Sequence, residues 1–368
     1  SAQSVPAFPP QQKVAYVFTS GSTGVPVGHA KTWGALVGSV RAAAQRLNML
    51  DGRSYTIIGT VPPQHMYGFE STVLLALQGG AALWAGKPFY PADIAAALSA
   101  VPEPRVLVST PFHLRAFIDA ELDCPAVQTV LSATAPLTPE LARAVEVFCD
   151  APLLEIYGCT ESGQIATRRP TEREDWLLLD KIFMRQSTVT ANTTSTAKAA
   201  KKAATDYLDN QIDNLTTVEG DFIDGRIELG DIIDIIDAQR FLLRGRSADL
   251  INIAGKRTSL AFLNHQLLAV AGVRDGCFLL PDSDDENAII RLTAFAVADS
   301  LSATDIVRAL RARIDPVFLP RPLYLIAQLP RNAAGKLPRA ELQKLWLHCS
   351  QNQLAQNQSA QNQTEPTR

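Results

Sequence analysis

"VAYVFTSGSTGVPVGHAK", residues 14–31, decides how the first part of the chain folds. Its apolar, β-branched start is typical of a buried strand. Glycines and the hydroxyls of Ser20, Ser22 and Thr23 follow, and such a loop can turn backbone N–H groups toward an anion. Residues 32–50 have helical spacing, so the sequence predicts a strand, a loop and a helix whose N-terminal end points at the loop. The G-x-x-x-x-G-K-[ST] pattern is absent, and a plain turn explains such a loop roughly half the time.

Strands and helices alternate along the chain after this loop. The segments SYTIIGTVP, AALWAG, PRVLVSTP, AVQTVLSATAP and APLLEIYGCTE are predicted strands, and segments with helical spacing separate them. This alternation predicts an α/β fold, in which a large domain has mostly parallel sheets with flanking helices. A smaller C-terminal α+β domain follows.

Changes in composition predict the domain boundaries. Residues 1–12 form a leader, residues 13–245 the large domain, and residues 246–349 the small domain. Residues 187–217 are rich in Thr, Ala, Asn and Lys, which predicts an exposed insertion in the large domain. Residues 350–368 repeat QNQ and carry almost nothing apolar, which predicts a disordered tail.

The overall composition excludes some functions. The chain has 368 residues, of which 46% are hydrophobic and 19% charged, and its formal net charge is -3. A near-neutral surface gives no electrostatic case for binding nucleic acid or an anionic membrane, and no apolar run predicts membrane insertion. Five scattered cysteines favour reduced thiols in a cytoplasmic protein over a disulfide framework or a zinc site.

Three further stretches carry residues suited to chemistry. In EIYGCTESG, Thr160 beside Glu161 suits phosphate and Mg²⁺, although a helix cap explains the pair better by itself. Asp231 and Arg246 lie on two predicted strands around a turn, where they can bind one sugar or form an ion pair that closes the hairpin. Lys336 lies on a predicted exposed turn, where it can reach into a site or face solvent.

Taken in order, these stretches resemble the signature motifs of the AMP-forming adenylate ligase superfamily. This superfamily includes acyl- and aryl-CoA synthetases, luciferases and peptide-synthetase adenylation domains. TSGSTGVPVG resembles the family's phosphate loop, PPQHMYGFE its acyl-pocket motif, LSATAPL its adenine-side loop and YGCTE its central motif. Farther along, GD resembles the ribose motif, GRSADLINIAGKR the hinge motif and NAAGKLPR the catalytic-lysine loop. The resemblance runs from about residue 14 to about residue 345.

The resemblance implies a role for each residue that matches a motif. The β- and γ-phosphates of ATP would be held by Thr19, Ser20, Gly21, Ser22, Thr23 and Gly24. Adenine would be flanked by Thr134, Ala135, Pro136 and Tyr157, and ribose would be bound by Asp231 and Arg246. Thr160 would contact phosphate, Glu161 would hold Mg²⁺, and His65 and Tyr67 would face the acyl substrate. Lys336 would bridge the carboxylate and the α-phosphate.

The resemblance also implies a reaction. ATP would activate a carboxylic acid to an acyl-adenylate with release of pyrophosphate, and the acyl group would pass to the thiol of CoA or of a carrier protein's phosphopantetheine. The attacking carboxylate is already ionised at neutral pH, so the site must supply positive charge and alignment rather than a base. The motifs look like those of bacterial aryl- or acyl-acid ligases, which favours an aryl acid such as a hydroxybenzoate, with a fatty acid second.

Several positions depart from the family pattern. Val27 stands where the phosphate loop carries a lysine, although His29 and Lys31 follow it and can supply charge. Asn252 replaces a second lysine, and Ala248 replaces a charged hinge residue. The chain also begins almost at the phosphate loop, whereas relatives usually have a long preceding region. The alternative is therefore a homologue that binds nucleotide but is inactive or limited to adenylation, and an unrelated α/β binding module has little weight.

Overall fold

The computed structural model describes residues 7–20, 26–189, 213–246, 250–253, 256–282, 291–332 and 337–362. The helices are α1 (Trp33–Arg46), α2 (Met66–Gly68), α3 (Leu75–Gly79), α4 (Pro91–Ala100), α5 (Pro111–Asp119), α6 (Pro139–Cys149), α7 (Leu260–Leu268), α8 (Ala303–Leu310) and α9 (Arg339–Asn362). A π-helical segment, Phe69–Leu74, joins α2 to α3.

Strands make up five sheets in the described ranges. They are β1 (Lys13–Ser20), β2 (Pro26–Thr32), β3 (Thr56–Gly59), β4 (Ala82–Leu83), β5 (Arg105–Ser109), β6 (Thr129–Ser132), β7 (Leu153–Cys159), β8 (Gly163–Arg168), β9 (Trp176–Leu178), β10 (Ile182–Val189), β11 (Asp213–Gly220), β12 (Ile227–Leu229), β13 (Asp231–Ile235), β14 (Arg240–Arg246), β15 (Leu250–Ile253), β16 (Lys256–Ser259), β17 (Val273–Leu279), β18 (Thr293–Ala298) and β19 (Leu323–Leu325).

The largest sheet has nine strands in the order β13-β14-β9-β8-β7-β6-β5-β3-β4. From β4 to β7 neighbouring strands are parallel, and from β7 to β13 they are antiparallel. The central parallel strands β3, β5 and β6 are short runs rich in Val, Ile and Leu that are almost wholly buried, as expected for strands covered on both faces. The predicted α/β fold class is confirmed, and strand β7 marks the change from the parallel to the antiparallel half.

Two apolar clusters cover opposite faces of the parallel half. Ile57 and Ile58 are neighbours on β3, yet Ile57 packs with α1 and α3 while Ile58 packs with α4, α5 and α6. Successive side chains of a strand point to opposite faces, so each strand supplies both clusters. Helices α5 and α6 each begin with a threonine cap followed by proline, and both motifs favour a helix start. The result is a three-layer arrangement whose strand ends meet at one edge.

The first loop differs from the sequence expectation. The loop after β1 leads into β2, which pairs antiparallel with β1, and α1 begins only after β2 at Trp33. The helix predicted at residues 32–50 is thus present as α1, but the placement of residues 26–31 in the loop was wrong, because they form a strand. Residues 26–32 lack the apolar spacing of a helix, and Val27, His29 and Lys31 alternate along one face of a strand instead.

The predicted insertion at 187–217 is shorter than expected. Its first three and last five residues extend β10 and β11, which pair with each other from Ile182 opposite Gly220 to Val189 opposite Asp213. Thr and Val suit strands, which explains why polar composition alone misplaced these ends. Residues 190–212, the middle of that prediction, lie outside the described residues.

The chain after residue 246 has an apolar core of its own. Helices α7 and α8 pack on the sheet of β17, β18 and β19 through Leu263, Leu267, Ile306 and Leu310, which are fully buried. This core agrees with the predicted small domain, whose exact bounds remain a prediction. Helix α9 continues to Asn362, so residues 350–362 are helical rather than disordered. Gln, Ala and Leu are good helix formers, and α9 contains neither Gly nor Pro. In the described ranges, no helix has the length and apolar character needed to cross a bilayer.

Candidate functional site

Most of the predicted site residues follow the carboxyl ends of parallel strands. His65 and Tyr67 follow β3, Thr134 follows β6, and Thr160 and Glu161 follow β7. In the sheet β7 lies next to β6, and β5 separates β6 from β3, so the segments that leave these parallel strands lie along the same edge. Ligands of open α/β sheets bind at this edge, where the strand arrangement changes. The fold therefore brings the predicted acyl, adenine and phosphate segments to one side.

A tight turn between β7 and β8 presents Thr160 and Glu161. Cys159 pairs with Gly163 across the turn, and both Thr160 and Glu161 are partly exposed. A Cβ atom at Gly158 would lie 2.2 Å from the carbonyl oxygen of Gly163, so a glycine is required there. Gly163 has a φ of +78°, a conformation that favours glycine. The turn thus fixes the positions of the two predicted phosphate and metal contacts. A helix cap, the competing interpretation, is not what the structure shows.

Tyr157 and Asp231 are joined directly. The Tyr157 hydroxyl donates to Asp231 Oδ2 at 2.6 Å, and the Tyr157 ring is buried against Trp176 and Phe241, with ring centroids 5.5 Å away in each case. Asp231 begins β13 and lies opposite Arg246 of β14 in the strand register. The predicted hairpin is therefore confirmed. It brings the predicted ribose residues to one position beside the tyrosine that is predicted to flank adenine.

Strand β2 contacts Glu161 from the same face on which Val27 lies. His29 Nε2 lies 3.4 Å from Glu161 Oε1, and Lys31 Nζ donates to the backbone oxygen of Glu161 at 2.6 Å. Exposure falls along this face, from half-exposed Val27 to Lys31, which is only 5% exposed. Burial lowers the pKa of Lys31, and the charge of Glu70 is the main influence that opposes this shift. Both His29 and Lys31 therefore reach Glu161.

A buried carboxylate lies behind this contact. Glu70 is 2% exposed and accepts a hydrogen bond from Ser39 Oγ at 3.0 Å and another from the backbone N–H of Gln164. Burial raises the pKa of Glu70 to about 7, while the two hydrogen bonds and Lys31 favour its ionised form. Glu70 lies in the segment HMYGFE, and the sequence interpretation did not single it out. The available signal was the presence of a charged residue among apolar neighbours.

The predicted acyl-pocket residues differ in their surroundings. Tyr67 is half-buried and its hydroxyl donates to the backbone oxygen of Ser109 at 3.0 Å. Burial raises the pKa of Tyr67, so its hydroxyl stays protonated as a donor. His65 is exposed at the start of α2. The bond to Ser109 ties Tyr67 to the end of the parallel strand β5.

The adenine-side loop contains an unusual backbone conformation. Thr134 has a φ of +79°, in the left-handed region that non-glycine residues rarely adopt. Ala135 is half-buried and Pro136 is exposed, so the loop lies at the surface at the end of β6. Strained residues of this kind are often found at binding sites.

Several predicted contacts fall where the structure makes no statement. Thr19 and Ser20 end strand β1, but their side chains are not described, and neither is that of Arg246. The rest of the phosphate loop and the catalytic-lysine loop lie outside the described residues, and these include Gly21, Ser22, Thr23, Gly24 and Lys336.

A buried histidine near the same edge was not predicted. His113 lies in the first turn of α5, where Thr110 Oγ1 is 2.9 Å from its Nδ1. Its Nε2 is buried and has no hydrogen-bond partner among the described residues. Burial lowers the pKa of His113 to about 4. The residue is consequently neutral at physiological pH.

Comparisons with known proteins agree with this arrangement. A family model described as AMP-binding enzyme matches residues 2–182. A 4-chlorobenzoate–CoA ligase from Arthrobacter sp is 25% identical over 362 residues, which cover 92% of this chain and 68% of the relative. A probable CoA ligase from Humulus lupulus is 24% identical over 356 residues, covering 89% of this chain. The chain spans only 63% of the length of that second relative.

A solved structure shares the fold. O-succinylbenzoate coenzyme A synthetase from Bacillus subtilis, in complex with ATP and a magnesium ion, matches with a TM-score of 0.70 at 18% identity, covering 92% of this chain and 72% of the other. The fold and the matched segment thus place this chain in the class of AMP-binding enzymes. Within that class, the chain belongs to the AMP-forming adenylate ligase superfamily. The resemblance seen in the motifs is confirmed.

Proposed function

We propose that this protein activates a carboxylic acid with ATP, forming an acyl-adenylate and pyrophosphate, and then passes the acyl group to a thiol. One observation carries the proposal. Strand β7 holds Tyr157, which is bonded to Asp231, and the same strand ends in the turn that presents Thr160 and Glu161. A nucleotide whose adenosine lies at Tyr157 and Asp231 would extend its phosphates toward that turn.

The adenosine end can be held by the hairpin. A carboxylate has several acceptor positions, so accepting from Tyr157 is compatible with Asp231 also accepting from a ribose hydroxyl. Arg246 lies opposite Asp231 in register and would donate to the same sugar. Thr134, Ala135 and Pro136 would flank the adenine from the end of β6. This assignment favours sugar binding over an ion pair that only closes the hairpin.

The phosphate end would use the turn after β7. The Thr160 hydroxyl would donate to a phosphate oxygen, and Thr19, Ser20, Gly21, Ser22, Thr23 and Gly24 would surround the β- and γ-phosphates. The donor set fits Mg²⁺, because that ion commonly takes one or two carboxylates and completes its shell with water and substrate phosphates. The described residues hold no group of three or more His, Cys, Asp and Glu side chains arranged for a metal, which agrees with a single carboxylate, Glu161. Mg²⁺ bound there would neutralise part of the phosphate charge.

The reaction needs alignment more than proton transfer. The attacking carboxylate is ionised at neutral pH, so its approach to the α-phosphorus is opposed mainly by charge repulsion. We propose that Lys336 offsets this repulsion by bridging the two groups. Tyr67, held by Ser109, and His65 would border the acid on the other side.

An aryl acid is the substrate class we favour, with a fatty acid second. The support is the similarity to 4-chlorobenzoate–CoA ligase and to a plant protein described as a probable CoA ligase. CoA is the favoured thiol for the same reason, and the phosphopantetheine of an acyl carrier protein is the other candidate. The five cysteines are free thiols, which supports a cytoplasmic location.

The alternative is a homologue that binds nucleotide but is inactive or stops at the adenylate. Val27, Asn252 and Ala248 favour it, because each replaces a charged residue that the family motif carries.

Pyrophosphate exchange into ATP tests the proposal. Exchange dependent on an aryl acid is expected, with weaker exchange for fatty acids. The assay reports on the first step, because labelled pyrophosphate enters ATP only when an acyl-adenylate forms and the step runs in reverse. Lys336→Ala should abolish exchange while ATP still binds. The matched control is Lys344→Ala, on exposed α9, which should leave exchange unchanged. If ATP binds but no acid supports exchange, the alternative is correct. Unchanged exchange in Lys336→Ala would remove that lysine from the mechanism.

A further inference from the structure

Strand β2 carries a histidine and a lysine just beyond Val27, the position where the phosphate loop lacks its lysine. Val27, His29 and Lys31 share a face of the strand, and the exposed end of this face is apolar while its buried end is charged. A lysine that is 95% removed from solvent is costly unless its ammonium group is paired. Lys31 is therefore placed for a specific contact.

That contact is with the backbone of Glu161. Lys31 Nζ lies 2.6 Å from the Glu161 carbonyl oxygen, across 130 residues of sequence. This bond commits one of the three N–H donors of the ammonium group to the turn and anchors the Lys31 side chain there. The same strand also contacts the Glu161 carboxylate through His29. β2 thus holds Glu161 at both its main chain and its side chain.

The surroundings of Lys31 keep it in place. Glu70 lies close enough for its charge to favour the ammonium form of Lys31. Glu70 in turn is bound to Ser39 of α1 and to the N–H of Gln164 on β8. A Cβ atom at Gly163 would lie 2.8 Å from Glu70 Oε1, so the turn after β7 packs directly on this carboxylate. Behind Glu161, four elements therefore meet: β2, α1, the π-helical segment that carries Glu70, and β8.

We propose that Lys31 is a positioning residue: it sets the place of the Thr160–Glu161 turn, and through it the place of the carboxylate that would hold Mg²⁺. The inference rests on the proposed function, because Glu161 acts as a metal ligand only there. The proposed role of Lys31 differs from that of the family lysine whose position Val27 occupies. Lys31 acts through the protein rather than on the phosphates. Groups that orient a metal ligand typically contribute about 10–100-fold to metal affinity.

Calorimetric ATP titrations with Mg²⁺ and with EDTA test this role in the full chain. Lys31→Met keeps the apolar stem and removes the donor. Its affinity for ATP should fall about tenfold or more in Mg²⁺ and stay near wild type in EDTA. Lys31→Arg retains a donor and should recover part of the loss. Thermal unfolding without ligand shows whether each variant is folded.

Two further variants separate positioning from direct charge. In Glu161→Gln the metal ligand is already weakened, so adding Lys31→Met should have little further effect on Mg²⁺-dependent affinity. Val27→Lys should not rescue Lys31→Met. Equal losses in Mg²⁺ and EDTA, or rescue by Val27→Lys, would show that Lys31 acts on the phosphates and overturn the inference. No loss at all would also overturn it. If wild-type protein binds no Mg²⁺-ATP, the proposed function itself fails.

Discussion

Replacing Glu70 with glutamine should change how stability depends on pH. Glu70 is buried, and burial raises its pKa to about 7 from an ordinary value of 4.5. Glutamine has almost the same shape and can keep both the Ser39 contact, since that hydroxyl can donate or accept, and the contact with the Gln164 N–H. The substitution therefore removes a proton equilibrium, and with it the charge that favours the ammonium form of Lys31.

The size and sign follow from the two pKa values. Below pH 4.5 Glu70 is protonated in both the folded and the unfolded chain, so it costs nothing. Between pH 4.5 and 7 the unfolded chain loses this proton first, and stability falls as pH rises. A difference of about 2.5 pKa units corresponds to about 3 kcal/mol at most, all of it lost above pH 7. Glu70→Gln should escape this loss.

Urea unfolding followed by tryptophan fluorescence measures the effect. Wild type and Glu70→Gln should have similar free energies of unfolding at pH 4.5, where both side chains are neutral, and this pair of measurements is the internal control. The variant should become relatively more stable from pH 5 to pH 7.5, by up to about 3 kcal/mol. A difference that stays constant with pH would show that Glu70 does not titrate as its burial predicts.

Three other changes test neighbouring features. Gly158→Ala should destabilise the fold by about 1–3 kcal/mol, because the added Cβ meets the carbonyl oxygen of Gly163, and thermal unfolding will show this. Tyr157→Phe removes the donor to Asp231, and we expect ATP affinity measured by calorimetry to fall about tenfold; this is about 1.4 kcal/mol, near the lower end of the roughly 1.5–3 kcal/mol of a hydrogen bond to a charged group. Burial lowers the pKa of His113 to about 4, so this residue makes stability fall as pH drops from 6.5 toward 4. His113→Gln should flatten that part of the plot of urea midpoint against pH. An unchanged slope would show that His113 does not titrate as its burial predicts.

Local pattern predicted the parallel half of the fold well. The segments around Ile57, Val106 and Val130 are short β-branched runs between helices, and such runs can hardly form anything but buried parallel strands. The Asp231 and Arg246 hairpin was also predictable, since two apolar runs enclose a turn. In each case the information lies in one short, continuous stretch of sequence.

The errors arose where local pattern was weak. Residues 26–32 follow a run of glycines and hydroxyls and are mostly small or polar, so the strand alternation of Val27, His29 and Lys31 was not recognised. The polar ends of β10 and β11 resemble a loop because a strand can be stabilised by pairing alone. The Gln-rich tail has no apolar face, yet its residues favour a helix by intrinsic propensity. The contact of Lys31 with Glu161 joins positions 130 residues apart, and spacing within either motif does not encode it.

Glu70 and Lys31 together explain how a charged cluster can sit in a buried place. Removing one member of a buried ion pair usually costs several kcal/mol, because the remaining charge is stranded. Here the remaining group can neutralise: Glu70 already has a pKa of about 7 beside Lys31, and losing that cation would raise it further. At neutral pH the Lys31→Met variant would then contain a protonated Glu70 rather than a stranded charge. The chain should consequently tolerate the loss of Lys31 as a fold, so a defect in Mg²⁺-dependent nucleotide binding would report on the position of Glu161.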